Sequence, residues 1–311
     1  MYFLSILIML IFVLLGVAFF TLFERKVLGY IQFRKGPNKV FFMGMFQPFS
    51  DALKLFSSEF YFLIFGNYVI YYFVPMFGLM ISLLFWLLYP MYLNFMSFVL
   101  GSLFFLCCSG LGVYFIMISG WSSNSMYSLL GAMRAVAQSI SYEVCFFLII
   151  LCLIMYIESY NFIDFLYVQT YIWFFFMMIP LFLVFFSCCL AETNRSPFDF
   201  TEGESELVSG FNVEYSSFSF SLFFLAEYSN MMFLSFMLTL MFFGGDLFKL
   251  FFFFSMMFFV FIFIWVRGTL PRYRYDKLMY LSWKCYLPIV LNYYIFVIFI
   301  KVFMFFIIFS N

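Results

Sequence analysis

Carboxylates are crowded into one stretch of an otherwise apolar chain, and such a group can exchange protons. Between positions 192 and 214 a single basic residue, Arg195, stands among six acidic ones. These acids are Glu192, Asp199, Glu202, Glu204, Glu206 and Glu214. Carboxylates a few ångströms apart cannot all ionise, so some of them would hold protons near neutral pH. A solvated acidic loop without chemical function is the alternative.

Two further carboxylates, Glu143 and Glu227, lie within long apolar runs. A charge at the centre of a bilayer costs at least roughly 2.5–3.5 kcal/mol, so acids at such positions face the protein interior and usually mark ion paths. Ser139 stands four residues before Glu143. Gln138 and Tyr142 have the same spacing, which places polar groups along one side of a helix. A structural hydrogen bond between helices is the alternative to an ion path.

The residue types that hold metals and haem are scarce. The chain has no histidine, which excludes haem held by a histidine pair, zinc bound through histidine and a Ser–His–Asp triad. Its seven cysteines form no C-x-x-C pair and mostly lie in apolar runs, where a thiol behaves as a small hydrophobic group. We therefore expect no catalytic residue, no metal site and no bound redox cofactor in this chain.

The composition indicates a membrane protein. Of the 311 residues, 67% are hydrophobic and 10% are charged. Soluble domains carry roughly 25% charged residues. Lipid is the solvent that accounts for this excess of apolar side chains. The formal net charge of zero gives no overall attraction to nucleic acid. We expect one integral membrane domain over residues 1–311.

Long apolar runs predict about eight transmembrane helices. They lie near residues 2–23, 67–89, 97–119, 136–157, 166–190, 218–242, 249–266 and 286–308. The first run would be about 33 Å long as a helix, enough for a hydrocarbon core of about 30 Å. Barrel strands need only about ten alternating residues, so the expected fold class is an all-α polytopic membrane protein. Only Pro90 and Asn94 mark the boundary between the second and third spans.

The distribution of basic residues predicts the orientation. Eight spans would place the connections 24–66, 120–135, 191–217 and 267–285 on one side, and these contain 13 of the 15 lysines and arginines. The other side has only Lys249 and Lys301. Basic residues accumulate on the cytoplasmic or matrix side of membrane proteins. The four basic connections should therefore face the matrix or cytoplasm.

One part of the first connection predicts an amphipathic helix at the membrane surface, over residues 46–59. Its apolar positions, at helical spacing, are Phe46, Phe49, Leu53 and Phe56. Polar residues stand between them, and Pro48 suits the first turn of a helix. A ninth, partial span is the alternative, which the charges of Asp51 and Lys54 disfavour.

The polar connections carry long sequence motifs. In chain order they are ERKVLGYIQ with RKGPN, QPF with DALKL, GWSSNS, MRAVAQSISYE, LAETNR with PFD, EGESELVSGFN with EY, and RGTLPR with RYDKLM. Together they resemble the family of subunit 1 of the proton-pumping NADH:ubiquinone oxidoreductase, respiratory complex I, in its mitochondrially encoded form. The resemblance covers nearly the whole chain. The departures, Phe33, Met133 and the Phe-rich spans, remove no charged motif residue.

The resemblance implies a membrane-arm core subunit of an enzyme complex. Such a subunit lines the ubiquinone entry tunnel and starts the carboxylate path that couples quinone reduction to proton translocation. It has no redox centre of its own, because FMN and the iron–sulfur clusters belong to partner subunits, and ubiquinone is the substrate. The implied partners are the other subunits of the peripheral and membrane arms, ubiquinone and the lipid bilayer. The implied location is the mitochondrial inner membrane, as a multi-pass protein.

The resemblance also implies two groups of site residues. The tunnel group is Glu24, Arg25, Arg34, Phe198 and Arg274. The proton-path group is Glu143, Glu192, Asp199, Glu202, Glu204, Glu206 and Glu227. Glu24 and Arg25 adjoin the apolar first span, which suits the mouth of a tunnel for a molecule with a hydrophobic chain and a polar head. Arg195 and Arg274 could instead balance the acidic loop or dock a peripheral subunit.

Three other functions compete with this one. A stand-alone proton-coupled transporter would share the carboxylates within spans, but should show two repeated halves with interrupted helices, and no internal repeat is evident. The homologous membrane subunit of a hydrogenase would have similar motifs and no quinone. A purely structural anchor is disfavoured by six acids in one loop.

Overall fold

The computed structural model describes residues 2–59, 66–90, 98–170, 172–201, 203, 207, 209–244 and 249–310, and in these ranges the chain forms helices, turns and bends without a β-strand. Seven of the helices are long and apolar enough to cross a membrane. They are Phe3–Ile31, Tyr68–Trp86, Gly101–Ser122, Met126–Ile157, Ser217–Phe243, Leu250–Thr269 and Tyr275–Ile307. The predicted all-α polytopic membrane fold is confirmed.

We number the α-helices in chain order. They are α1 Tyr2–Ile31, α2 Gln47–Ser57, α3 Tyr68–Trp86, α4 Gly101–Ser122, α5 Met126–Ile157, α6 Phe162–Val168, α7 Phe174–Met177, α8 Ile179–Glu192, α9 Ser217–Leu238, α10 Leu250–Thr269, α11 Tyr275–Tyr280 and α12 Leu287–Ser310. The π-helical segment Thr239–Phe243 continues α9, and a second one, Leu281–Tyr286, joins α11 to α12. α11, the second π-helical segment and α12 thus form one continuous helix over residues 275–310.

The fifth predicted span, 166–190, is not a single helix. It is divided among α6, α7 and α8. With 14 residues, α8 is about 21 Å long. Pro180 lies in its first turn, where the missing N–H of proline costs nothing. α8 runs back alongside α5: at its end, the carbonyl of Ala191 accepts a hydrogen bond from the side chain of Gln138 in α5.

Two helices extend further than the apolar runs predict. α5 begins at Met126 rather than near 136, so the predicted connection 120–135 is reduced to residues 123–125. α1 continues to Ile31 and carries Glu24 and Arg25. The sequence prediction ended each span at its first charged residue. A charged side chain at a helix end can extend to the membrane interface without ending the helix.

The predicted connection 267–285 is also mostly helical. α10 ends at Thr269, and the non-helical stretch covers only residues 270–274. Pro271 accounts for this break, since proline has no N–H to donate and keeps the residue before it out of the helical conformation. The second and third predicted spans are confirmed as α3 and α4. Asn94, which marked their boundary, lies outside the described residues.

The amphipathic helix predicted over 46–59 is α2, and Pro48 lies in its first turn as expected. α2 packs across α1 and α9. Its apolar side chains Phe49, Leu53 and Phe56 are exposed in the isolated chain, as a helix lying in a membrane interface requires.

The core is built around α5, against which α4, α8 and α12 pack. Phenylalanine fills much of it: the rings of Phe146 and Phe185 stack at 4.9 Å between centroids, and Phe105 lies 5.5 Å from Phe146. Aromatic pairs of this kind add stability beyond the area that they bury. Five of the seven cysteines are buried here as free thiols, and Cys107 and Cys285 are exposed. Glu24, Arg195 and Arg267 lie together at one end of this core.

Candidate functional site

A buried group of charged residues lies where α1, α9 and α10 meet, with Glu24 at its centre. Glu24 is 5% exposed. Its Oε2 accepts a hydrogen bond from the hydroxyl of Tyr228 on α9, and its Oε1 accepts one from Arg267 at the end of α10. The guanidinium of Arg195, in the loop after α8, lies 3.6 Å from Oε1. We call these four residues the Glu24 cluster.

Arg195 connects the Glu24 cluster to a second carboxylate. Its guanidinium lies over the ring of Tyr228, 4.6 Å from the centroid, and 3.9 Å from Oε2 of Glu227. Burial by itself would lower the pKa of Arg195, but the oxygens of Tyr228, Glu24 and Glu227 outweigh it and raise that pKa. Arg195 therefore stays charged, and two arginines balance the buried Glu24 and the partly buried Glu227, since charges removed from water need partners.

An apolar groove of about 440 Å³ ends on this cluster. It runs between α1, α2 and α9. Its lining is Val17, Ala18, Thr21, Glu24, Arg25, Pro48, Asp51, Ala52, Lys54, Leu55, Phe56, Phe220, Ser221, Phe224, Leu225 and Tyr228. A concave apolar site with a few polar groups at one end suits a molecule that has a hydrophobic body and a polar head.

An ion pair fastens α2 to α1 at the wall of this groove. Arg25 on α1 lies 2.5 Å from Oδ2 of Asp51 on α2. Gln47 donates a hydrogen bond of 2.9 Å to the other oxygen of the same carboxylate. The next residue of α1, Lys26, donates to the carbonyl of Met43 at 2.7 Å, which holds the segment before α2. These contacts fix the position of the wall that α2 provides.

Glu143 and Glu192 lie against α4, deeper in the helix bundle. A Cβ atom added to Gly110 of α4 would lie 3.1 Å from Oε1 of Glu143, and one added to Gly112 would lie 4.0 Å from Oε1 of Glu192. Gly110 thus makes room for Glu143, while Glu192 lies at ordinary contact distance from α4, and the two carboxylates are close enough to interact electrostatically. A cavity of about 20 Å³ beside Glu192, lined also by Asn230, has room for a water molecule.

Comparison with known proteins decides the family. The profile of the NADH dehydrogenase family matches residues 4–298. The chain belongs to the NADH dehydrogenase family. It is 59% identical over 297 residues to NADH-ubiquinone oxidoreductase chain 1 of Aedes aegypti, covering 96% of this chain and 95% of that protein.

Proteins of the same name from more distant animals agree. The chain 1 of Locusta migratoria is 56% identical over 305 residues, with 98% of this chain and 97% of that protein covered. The chain 1 of Monodelphis domestica is 46% identical over 298 residues, with 94% of each covered. The chain is thus a membrane subunit of complex I, an oxidoreductase complex of the respiratory chain. This membership favours the complex I subunit over the stand-alone transporter and the hydrogenase subunit.

The structure brings two of the five predicted tunnel residues of this family member to the groove, namely Glu24 and Arg25. Arg34 is exposed beyond the end of α1 and donates to the side chain of Gln32 at 2.9 Å. Phe198 is buried beside Tyr142, with 5.8 Å between the ring centroids. Arg274 is largely exposed and paired with Asp276 at 2.9 Å. The tunnel role of all five residues stays a prediction.

Four of the seven predicted proton-path residues are described. Glu227 meets the Glu24 cluster through Arg195, and Glu143 and Glu192 lie together against α4. Asp199 accepts a hydrogen bond of 3.0 Å from Arg272. The remaining three, Glu202, Glu204 and Glu206, lie outside the described residues. The structure therefore places Glu227 beside the Glu24 cluster, Glu143 and Glu192 against α4, and Asp199 apart from both, paired with Arg272.

Sequence reasoning missed Tyr228, Arg267 and the partner role of Asp51. Tyr228 follows Glu227 directly, and a tyrosine beside an acid within a span was an available signal. Arg267 opens a recognised motif, but was counted only as a basic residue that indicates orientation. Among the described residues no group of three or more His, Cys, Asp and Glu could hold a metal ion.

Proposed function

We propose that this chain lines the entry tunnel for ubiquinone and that the groove between α1, α2 and α9 is its part of that tunnel. The observation that carries the proposal is an apolar groove whose lining includes Glu24 and Tyr228 of the Glu24 cluster, in which Arg195 and Arg267 flank the buried carboxylate of Glu24. A quinone has a hydrophobic tail and a headgroup whose carbonyl oxygens accept hydrogen bonds. The names of the relatives, which include ubiquinone, support this occupant.

The redox groups belong to partners in this proposal. FMN and iron–sulfur clusters in peripheral-arm subunits would supply the electrons, and ubiquinone would accept them. The residues of this chain would bind the tail, orient the headgroup and exclude water from the groove. The chain would lie in the mitochondrial inner membrane, in contact with lipid and with other complex I subunits. Seven long apolar helices suit that environment.

The carboxylates would carry the coupling to proton translocation. Glu227 shares Arg195 with Glu24, so a change of charge at the groove acts directly on Glu227. Glu192 and Glu143 lie further in, and in a medium of low dielectric constant charges influence each other over longer distances than in water. Proton shifts could therefore pass inward from the tunnel without any large movement. Asp199 and the acids at 202, 204 and 206 would supply protons from the loop.

Filling the groove tests the tunnel. Ala52 lines the groove and its neighbour Leu53 does not, being 68% exposed. We expect Ala52→Phe in the intact complex to raise the KM for ubiquinone roughly tenfold, because overpacking a site costs about 1–3 kcal/mol. Electron transfer from NADH to a water-soluble acceptor should not change. Leu53→Phe is the matched control and should behave as the unmodified complex. Equal losses with both acceptors would refute the tunnel.

A further inference from the structure

The loop that carries Arg195 has no regular secondary structure, yet its side chain reaches a buried cluster. Residues 193–200 lie between α8 and the acidic stretch. Within the loop, the N–H of Phe198 donates to the carbonyl of Arg195 at 2.8 Å. From outside, the N–H of Tyr273 donates to the carbonyl of Pro197 at 3.0 Å. The N–H of Arg195 itself donates to the carbonyl of Leu190 in α8 at 3.4 Å. None of these three bonds has a partner in α5.

Gln138 provides the contact between the loop and α5. Its side chain is 0% exposed, and its amide nitrogen donates two hydrogen bonds, one to the carbonyl of Ala191 at 3.0 Å and one to the carbonyl of Phe198 at 2.8 Å. The two carbonyls stand at the two ends of the stretch that contains Arg195. A primary amide has two N–H donors at a fixed angle, so one side chain sets the distance between both ends.

We propose Gln138 as a positioning residue that holds the loop, and Arg195 with it, against the Glu24 cluster. Gln138 touches neither the groove nor the cluster, and acts through two contacts. The carbonyl of Phe198 accepts a hydrogen bond from Gln138, and the N–H of Phe198 donates one to the carbonyl of Arg195. Ala191, the other acceptor, directly precedes Glu192. One amide therefore fixes Arg195 of the Glu24 cluster relative to Glu192, which lies against α4. Residues that hold a site in its geometry commonly matter although they touch no ligand.

The chain contains a matched control. Gln169 is also buried, at 2% exposure, and its amide nitrogen donates to two carbonyls, those of Leu240 at 3.3 Å and Met241 at 2.9 Å. It joins the segment after α6 to the π-helical end of α9, near the beginning of α10 and away from the Glu24 cluster. Replacing either glutamine by methionine removes the same pair of bonds with little change of volume.

The test compares Gln138→Met with Gln169→Met in the intact complex, and this inference rests on the proposed function. We expect Gln138→Met to raise the KM for ubiquinone about fivefold with a smaller change in kcat, since two buried carbonyls lose their donor and the loop shifts. Gln169→Met should leave both constants unchanged. In Arg195→Lys the lysine cannot reproduce the guanidinium contacts, and adding Gln138→Met to it should raise the KM no further.

Each other outcome is decisive. Equal effects of the two methionine variants, or additive effects of Gln138→Met and Arg195→Lys, would overturn the positioning role. Gln138→Asn keeps a buried amide but is too short to reach both carbonyls. If neither Gln138 variant assembled, Gln138 would be required for folding and the inference would be wrong. If Ala52→Phe raised the KM and Gln138→Met did not, the tunnel would stand without this inference. An unchanged KM in Ala52→Phe would remove the proposed function itself.

Discussion

Arg195 is the residue that joins the carboxylates of Glu24 and Glu227. It is 12% exposed, and it lies within 4 Å of carboxylate oxygens of both Glu24 and Glu227. A buried arginine that faces several acceptors is not replaceable by lysine, whose compact ammonium cannot spread its charge over two carboxylates and an aromatic ring. The charges balance within this small group of residues. A proton gained or lost at Glu24 or Glu227 therefore leaves a net charge with little screening by water.

The first residue-scale prediction concerns the inner carboxylates. Replacing Glu143 or Glu192 by glutamine keeps the shape of the side chain and removes its titrating proton. We expect either change to lower proton translocation and quinone reductase activity together, by tenfold or more if coupling by general acid–base groups is lost. The complex should still assemble. Aspartate at the same positions should give a milder loss, because it keeps a carboxylate.

Glu158 gives the control for these variants. It lies at the far end of α5, with its side chain 77% exposed, and pairs with Lys301 at 2.5 Å. Glu158→Gln therefore removes a carboxylate that stands outside the proposed path, and should leave proton translocation unchanged. Normal stoichiometry and rate in Glu143→Gln and Glu192→Gln would make these two acids structural hydrogen-bonding residues.

At the scale of elements, α2 is a wall of the groove that depends on few contacts. Its apolar side chains are largely exposed and the pair between Arg25 and Asp51 fastens it to α1. We expect Asp51→Asn to loosen α2 and raise the KM for ubiquinone up to about fivefold, since a partly exposed ion pair contributes about 0.2–1 kcal/mol. Glu158→Gln breaks a pair with Lys301 that lies at the far end of α5, outside the groove, and should leave the KM unchanged. A similar KM shift in both variants would argue against the tether.

The helices were predictable from apolar runs because a span in lipid must satisfy its own backbone hydrogen bonds. The predicted ends of the spans were wrong where polar turns continue a helix, as at the start of α5 and along α11. The break in the fifth span was also missed. Neither Pro180 nor the turn at residues 169–170 ends the predicted apolar run, and hydrophobicity alone carries no information on helix breaks inside it.

Glu24, Arg25 and Glu227 could be proposed from the sequence because charged residues in or beside apolar spans are costly and hence informative. Their partners could not. Tyr228 and Arg267 lie 204 and 243 residues after Glu24 in the chain, and their hydrogen bonds to it form only through the packing of α1, α9 and α10. A single sequence shows which residues need a partner, but the packing selects it.

The whole molecule is polar at one end. The Glu24 cluster, the ion pair of α2 and the loop that carries Asp199 all lie at the end where α1 finishes and α9 begins. At the opposite end Lys301 pairs with Glu158, and Lys249 stands at the start of α10. This division agrees with the 13 basic residues that the sequence places on one side, which is the side predicted to face the matrix or cytoplasm.

The whole-molecule prediction is therefore one of orientation. Single cysteines would replace Asn38, after α1, and Thr170, after α6, both exposed, in a chain whose exposed Cys107 and Cys285 are serine. In sealed inverted vesicles, whose matrix face is outward, a membrane-impermeant maleimide should label position 38 and should label position 170 only after permeabilisation. Labelling of both in detergent would show that both thiols are accessible. Labelling of both from outside sealed vesicles would place residues 38 and 170 on one side, and the predicted orientation would be wrong.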